Sequence, residues 1–243
     1  MSSLKNKVAV ITGASTGIGE SIARSFATEG ASVVLASRDR EKLQGVADRL
    51  ADTVGGVLVA PTDVTIEKQV VALFHQAKEK FNRIDLLVNN AGIAQGGPSD
   101  EMTAETWRNV IDVNLTGSFL CSREAFKIMK TQRAGRIINI GSVSAKVPRP
   151  HSAPYVASKF GLEGLTRSLA LDGREFGISA SIVHPGNTDT PIWHGREEVS
   201  SKEGLMPPDE LARVVLMIAT IPPDMNVLES IVLPVSMPFL GRG

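Results

Sequence analysis

The chain contains a single tyrosine, Tyr155, in the run YVASK, with Lys159 four positions behind it. On a helix that spacing stacks both side chains on one face, close enough to interact. A phenol titrates near ~10, so it is a poor acid or base at neutral pH, and lowering it by two or three units takes about 3–4 kcal/mol. One ammonium at ~4 Å in a medium of intermediate dielectric supplies about that much. The four-residue pattern by itself also fits a core tyrosine beside a surface lysine. Two more polar residues point to chemistry. Ser142, in IINIGS, stands thirteen residues ahead of the tyrosine at the end of an expected strand, where its hydroxyl could donate to a carbonyl. Ser144 is its rival, two residues further from that strand end. Asn114, in DVNLTGSF, interrupts an otherwise apolar helical stretch containing Val110, Ile111, Leu115 and Phe119. A buried amide must find partners; a bond to its own helix backbone or a link to water and Lys159 would serve.

A second group of residues suits phosphate. TGASTGIG, residues 12–19, follows the apolar run VAVIT and opens a helical pattern. Gly13 allows a tight turn, Gly17 a close backbone approach to a pyrophosphate, and Gly19 close packing of helix on strand. Ser15, Thr16 and Ile18 complete the loop, whose free N–H groups and partial positive charge attract phosphate. No Lys-Ser/Thr pair follows the last glycine, which excludes a P-loop. A tight strand–helix connection without ligand is the bland alternative. The next strand, VVLA, runs into Ser37-Arg38 rather than into an acidic residue. Arg38 offers a planar fork to a ribose 2′-phosphate, with Ser37 as a hydroxyl donor. Asp39 comes one place late for a ribose partner and could pair with Arg38. The expected cofactor is NADP(H); otherwise Arg38 is a solvated charge at a helix start.

The elements that must position these residues alternate. Short β-branched runs at 8–12, 32–36, 56–60, 84–89, 136–140, 178–183 and 227–233 read as strands. Several are continuously apolar, the pattern of parallel strands covered on both faces. Helical periods fall at 18–29, 40–51, 66–81, 103–130, 154–176 and 208–220, with start signals at Thr65 to Lys68 and at Pro208-Asp209-Glu210. This alternation predicts an α/β, Rossmann-like, doubly wound, seven-stranded parallel sheet flanked by helices, with residues 1–243 as a single domain. The irregular stretch from His184 to Pro208 is expected to form a mobile flap over the ligand side.

Of 243 residues, 42% are hydrophobic, enough for a substantial core, and 26 basic residues balance 26 acidic ones. That neutrality argues against nucleic-acid binding, and no apolar run approaches the ~20 residues of a membrane span. One cysteine, Cys121, precludes an intrachain disulfide and suggests a reducing, cytoplasmic setting. The histidines His75, His151, His184 and His194 show no ligand spacing, so no metal is expected.

Together these motifs resemble the short-chain dehydrogenase/reductase family over essentially the whole chain. TGxxxGIG is matched at residues 12–19 and NNAG at 89–92; the family's catalytic asparagine, serine, tyrosine and lysine fall on Asn114, Ser142, Tyr155 and Lys159. The resemblance implies hydride transfer between a nicotinamide and a carbonyl or secondary alcohol. Tyr155 would move the proton, Ser142 orient the carbonyl oxygen, and Lys159 acidify the phenol and hold the nicotinamide ribose. Asn90, Ala91, Gly92, Pro185, Gly186, Thr188 and Thr190 would border the nicotinamide half, and Asp63-Val64 the adenine. Thr188 stands where an aliphatic residue is usual. The same resemblance makes the helices at 103–130 and 154–176 a subunit interface, with a homotetramer favoured over a dimer.

The C-terminal segment lacks a DGG ending and looks closer to broad NADP-dependent reductases and hydroxy-acid dehydrogenases than to ketoacyl-carrier-protein reductases. Substrate contacts are expected from Ser142, Tyr155 and residues 192–206, with Trp193 and His194 as candidates; an exposed loop is the equal alternative there. The leading expectation is a reductase of a small ketone or aldehyde. A ketoacyl-thioester reductase and a catalytically silent nucleotide sensor on the same fold are the competing ones.

Overall fold

A computed structural model of the chain describes residues 3–52, 55–191 and 203–239. Seven parallel strands form one sheet in the order β3-β2-β1-β4-β5-β6-β7. They are β1 (Val8–Thr12), β2 (Ser32–Ser37), β3 (Val57–Pro61), β4 (Leu86–Asn89), β5 (Gly135–Ile140), β6 (Ile178–Pro185) and β7 (Glu229–Val232). Every residue of β1 and β4 is buried, as their mostly apolar sequences require, whereas the edge strands β3 and β7 are mostly half-buried.

The sheet's two faces sort by alternate residues. Ala9, Ile11, Val33 and Leu35 pack beneath α1 (Gly17–Thr28), α2 (Arg40–Arg49) and α7 (Pro208–Thr220). Val8, Val10 and Val34 point the other way, toward α3 (Glu67–Phe81) and α5 (Gly117–Gln132). Two further helices, α4 (Ala104–Ile111) and α6 (Ala153–Gly173), complete the set. Because β2 and β3 lie on one side of β1 and β4 to β7 on the other, the chain reverses direction between β1 and β4. The connections diverge there and leave a crevice at the strands' carboxyl ends.

Three expectations from the sequence change. The helix expected over 103–130 is interrupted by a π-helical turn at Asp112–Thr116, between α4 and α5. One extra residue in the turn carries Asn114 inward, where it is fully buried. Thr65 does not cap α3: its N–H and hydroxyl both go to Asp63 Oδ1, at 2.9 and 2.7 Å, and Ile66 precedes the helix. The segment beginning at His184 is not a loop from its start. His184 and Pro185 belong to β6, and Met206 bridges to Thr188 and is buried. A terminal proline forfeits no ladder bond that the strand needs, so β6 can run through it.

At the opposite, amino-terminal edge of the sheet the strands are tied by one carboxylate. Asp85 is buried; its Oδ2 accepts from Val8 N–H at 3.0 Å, and Arg83 and Lys7 approach it at 2.6 and 3.2 Å. Asp85→Ala leaves a buried N–H unpaired and should lower stability by about 2–4 kcal/mol. Urea denaturation measures the loss. Ligand affinity should stay unchanged, because the crevice opens at the far end of the strands.

Candidate active site

The crevice is a cleft of roughly 960 Å³, and its lining contains every expected cofactor residue except Gly19. Gly13 and Gly17 hold positive φ, +64° and +58°, which turns the chain sharply between β1 and α1. Gly19 faces inward instead: a Cβ there would strike the Gly13 carbonyl and come within 2.5 Å of Asn90 Nδ2. The turn is locked to β4 by Thr12, a residue that sequence reasoning did not single out. Its buried Oγ1 accepts from Asn90 N–H and Ala91 N–H at 3.0 and 3.1 Å, while Asn90 Nδ2 donates to Thr12 O and Gly13 O. This explains the NNAG run: its asparagine side chain braces the glycine turn.

At the other end of the cleft lie Ser37, Arg38, Asp63 and Val64. The Ser37 hydroxyl is buried and has no hydrogen-bond partner among the described residues. A buried hydroxyl without a partner costs free energy that a ligand oxygen can recover. Arg38 is exposed beside it. Asp39 does not pair with Arg38; its carboxylate caps α2, accepting from Lys42 N–H at 3.1 Å and pairing with Lys42 Nζ at 3.3 Å. That capping bond holds the Asp39 carboxyl below its ordinary range. The acidic group nearest the end of β2 is therefore engaged by its own helix, leaving a hydroxyl and a guanidinium for the ligand. These residues and the glycine turn fit a dinucleotide.

The end of β5 forms the central wall. Ser142 begins a 3₁₀ turn, and its Oγ accepts from Ser144 N–H at 3.1 Å. With that acceptor position filled from behind, the hydroxyl proton is available to donate into the cleft. Ser144 thus supports Ser142 through its backbone, although both residues line the cleft. Tyr155 and Lys159 lie one helical turn apart on α6, both in the lining, with Lys159 Nζ 5.6 Å from the phenol ring centre. Lys159 is almost fully buried and donates to the Ile140 carbonyl at 2.8 Å; burial pulls its pKa down to about 8.

Asn114 stands behind this wall rather than in it. Its amide pairs with both backbone groups of Ile93, accepting from N–H at 2.9 Å and donating to the carbonyl at 3.0 Å. The amide also donates to Ser158 Oγ at 3.0 Å, and Ser158 donates in turn to Tyr155 O. Through these bonds Asn114 fixes the cleft floor at Ile93 and the helix bearing the tyrosine. Ser158 was missed, having no signal in the sequence beyond its place inside YVASK.

The far wall consists of Pro185, Gly186, Asn187, Thr188 and Thr190, with Thr190 packed 3.1 Å from where a Gly17 Cβ would be. Arg149, Asn187 and Glu203 bond to one another across the cleft's rim. His151 is exposed at positive φ in the lining. Trp193 and His194 lie outside the described residues. Among the described residues, one group of potential metal ligands converges, Glu163, His184 and Glu229, with ligand atoms within 4.8 Å. Lys146 already places its ammonium 2.7 Å from Glu163 and 2.5 Å from Glu229.

Comparison with known proteins agrees with this geometry. A family model described as short chain dehydrogenase matches residues 7–201. An uncharacterized oxidoreductase of Bacillus subtilis is 38% identical over 213 residues, covering 88% of this chain and 83% of that protein. One of Staphylococcus aureus is 36% identical over 235 residues, covering 97% of this chain and 100% of the relative. The crystal structure of a short-chain type dehydrogenase/reductase from Mycobacterium marinum superposes with a TM-score of 0.90 at 31% identity, covering 94% of each chain. The chain belongs to the short-chain dehydrogenase/reductase family of oxidoreductases, which use nicotinamide cofactors.

Burial of Lys159 carries a stability consequence with a definite sign. Its folded pKa lies below the ordinary lysine value, so the unfolded chain binds more protons between pH 8 and ~10.5, and stability rises with pH across that window. Lys159→Met should therefore be more stable than the parent at pH 7, by about 1–2 kcal/mol. The advantage should fade as pH approaches ~10.5. Urea titrations at pH 7 and pH 10 compare the two; an advantage that is equal at both would show that the ammonium is not held at a cost.

Proposed function

We propose that the protein is an NADP(H)-dependent oxidoreductase interconverting a ketone or aldehyde with the corresponding alcohol, in a branch resembling hydroxy-acid dehydrogenases. The observation that carries this reading is the meeting of Ser142, Tyr155 and Lys159 on one wall of the cleft that begins at the glycine turn. The choice of NADP(H) rests on the unpartnered Ser37 hydroxyl, the exposed Arg38 and the engagement of Asp39 by α2.

The glycine turn and the amino terminus of α1 would hold the pyrophosphate, Ser37 and Arg38 the 2′-phosphate, and Asp63 and Val64 the adenine. Asn90, Ala91, Gly92, Pro185, Gly186, Thr188 and Thr190 would frame the nicotinamide. When bound there, NADPH supplies the hydride. Ser142 donates to the carbonyl oxygen and fixes its direction. Tyr155 delivers its phenolic proton to that oxygen as negative charge develops, or withdraws the hydroxyl proton in oxidation. Lys159, positive below about pH 8, lowers the cost of the phenolate that remains. Asn114 keeps α6 and Ile93 in register, so the tyrosine stays aimed at the cleft.

Loss of NADPH absorbance with a panel of ketones, aldehydes and acetoacetyl thioesters, run in parallel with NADH, tests the reading. Tyr155→Phe should cut turnover by about 10²–10⁴-fold and change NADPH affinity little. Arg38→Asp should move the ratio of kcat/KM toward NADH by about tenfold or more. Full activity of the tyrosine variant would sink the proton route, and an unmoved ratio would sink the phosphate assignment. Activity confined to thioesters would select the ketoacyl-thioester alternative.

The exposed apolar side chains Phe119 on α5 and Phe160 and Leu171 on α6 support a homo-oligomer through those helices. Met217 on α7 and Ile231 on β7 offer a second apolar face, which favours a tetramer. Sedimentation at micromolar concentration should give a single species of four subunits; a monomer would refute the assembly. No described helix is long and apolar enough to cross a membrane, and we place the protein in the cytoplasm.

A further inference from the structure

We propose that His184 is a positioning residue for Ser142, its imidazole continuing the β5–β6 pairing one residue beyond the last strand pair and so setting the direction of the serine hydroxyl. The inference rests on the role given to Ser142 above. The regular register ends at Ile140 opposite Val183, and Gly141 N–H then donates to Val183 O at 2.7 Å. The following peptide, that of Ser142, has left the sheet. What meets it is a side chain: His184 Nδ1 lies 2.9 Å from Ser142 O and 3.3 Å from Ser142 N. A single tautomer satisfies only one of these, and the shorter approach to a carbonyl oxygen requires the proton on Nδ1. Gly141 makes room for the ring, since a Cβ there would stand 2.6 Å from Nδ1.

The ring is wholly buried, and its other nitrogen, Nε2, has no hydrogen-bond partner among the described residues. It faces carboxylates from two elements, Glu163 of α6 at 3.9 Å and Glu229 of β7 at 3.7 Å. Lys146, after the 3₁₀ turn, and Arg167, on α6, neutralise that pair. The four charged groups pair among themselves and wall off the ring, so the bond from Nδ1 is the one that ties it to the protein. Burial also lowers the His184 pKa, favouring the neutral ring with one proton. The backbone of Ser142 is thus clamped through its carbonyl while its hydroxyl is held by Ser144 N–H.

Five proteins test this: parent, His184→Phe, His184→Asn, Ser142→Ala and the double variant of His184→Phe with Ser142→Ala. Phenylalanine keeps the ring volume but cannot donate. His184→Phe should lower kcat about tenfold with NADPH affinity, read by fluorescence, changed less than about twofold. In the Ser142→Ala background the same change should cost less than about twofold, because no hydroxyl is left to aim. His184→Asn, whose Nδ2 takes the place of Nδ1, should stay within about threefold of the parent. An equal loss in both serine backgrounds, or failure of asparagine to rescue, would mean that the ring only fills space. Imidazole nitrogen NMR of the parent reads the tautomer without turnover: a protonated Nδ1 is expected, and a bare Nδ1 overturns the inference even if no carbonyl substrate is reduced. Absence of any carbonyl reduction alongside a protonated Nδ1 would instead count against the function proposed above.

Discussion

One buried ammonium constrains this molecule more than any other group. Lys159 sits almost wholly out of water on the Ile140 carbonyl at 2.8 Å, a placement that desolvation opposes. Burial draws its pKa to about 8, so near neutral pH the protein holds a positive charge that it would be more stable without. In the function proposed above the gain is chemical: a cation held out of water acts more strongly on the phenol one turn away than a solvated surface lysine would. Everything around it serves that placement. The strand end offers a carbonyl, α6 supplies the turn spacing, and α6 lies against β6 and the 3₁₀ turn that follows Ser142.

Much of this was legible in the sequence. The strands announced themselves because parallel strands covered on both sides are mostly apolar, as VAVIT and RIINI are. The residues of the cleft were legible because the glycine turn, a strand-end hydroxyl and a Tyr–Lys pair each need particular residues at particular spacings, and the structure brings them to one cleft. The losses have physical causes. Periodicity over a long helix cannot reveal a single inserted residue, so the π turn that buries Asn114 was invisible. The partners of its amide were invisible too, since Ile93 contributes only backbone. His184 looked like the start of a loop because Pro-Gly follows it. Yet β6 pairs with β7 through Pro185, and the imidazole lies beside Ser142.

A polar layer beneath the site ties its strands together. Asn89 at the end of β4 donates to Ser122 Oγ of α5 and to Asn139 of β5, and Asn139 donates to Thr166 of α6. The Asn89 Oδ1 has no partner among the described residues, but the bonds that the two amides do make join β4, β5, α5 and α6 at one level. These residues stand one layer below Asn90 and Ile140, the positions that hold the glycine turn and the lysine. The layer thus links the strand leading into Asn90 to the strand ending in Ile140, and so the glycine-turn half of the cleft to the half holding Ser142 and Tyr155.

The same logic recurs at each strand terminus. A crevice forms where neighbouring strands part, and parting leaves backbone groups without ladder partners in a place too enclosed for water to satisfy them freely. Here side chains take over: Thr12 receives the N–H groups of Asn90 and Ala91, Asn114 closes both backbone groups of Ile93, Lys159 takes the carbonyl of Ile140, and His184 takes that of Ser142. The polar residues that complete the backbone are thus the ones that line or back the site. A fold that opens its sheet to make a pocket needs polar side chains at its rim for structural reasons. The proposed catalytic set draws on that requirement: Lys159, which satisfies a strand end, is also the charge that the proposed function needs beside Tyr155.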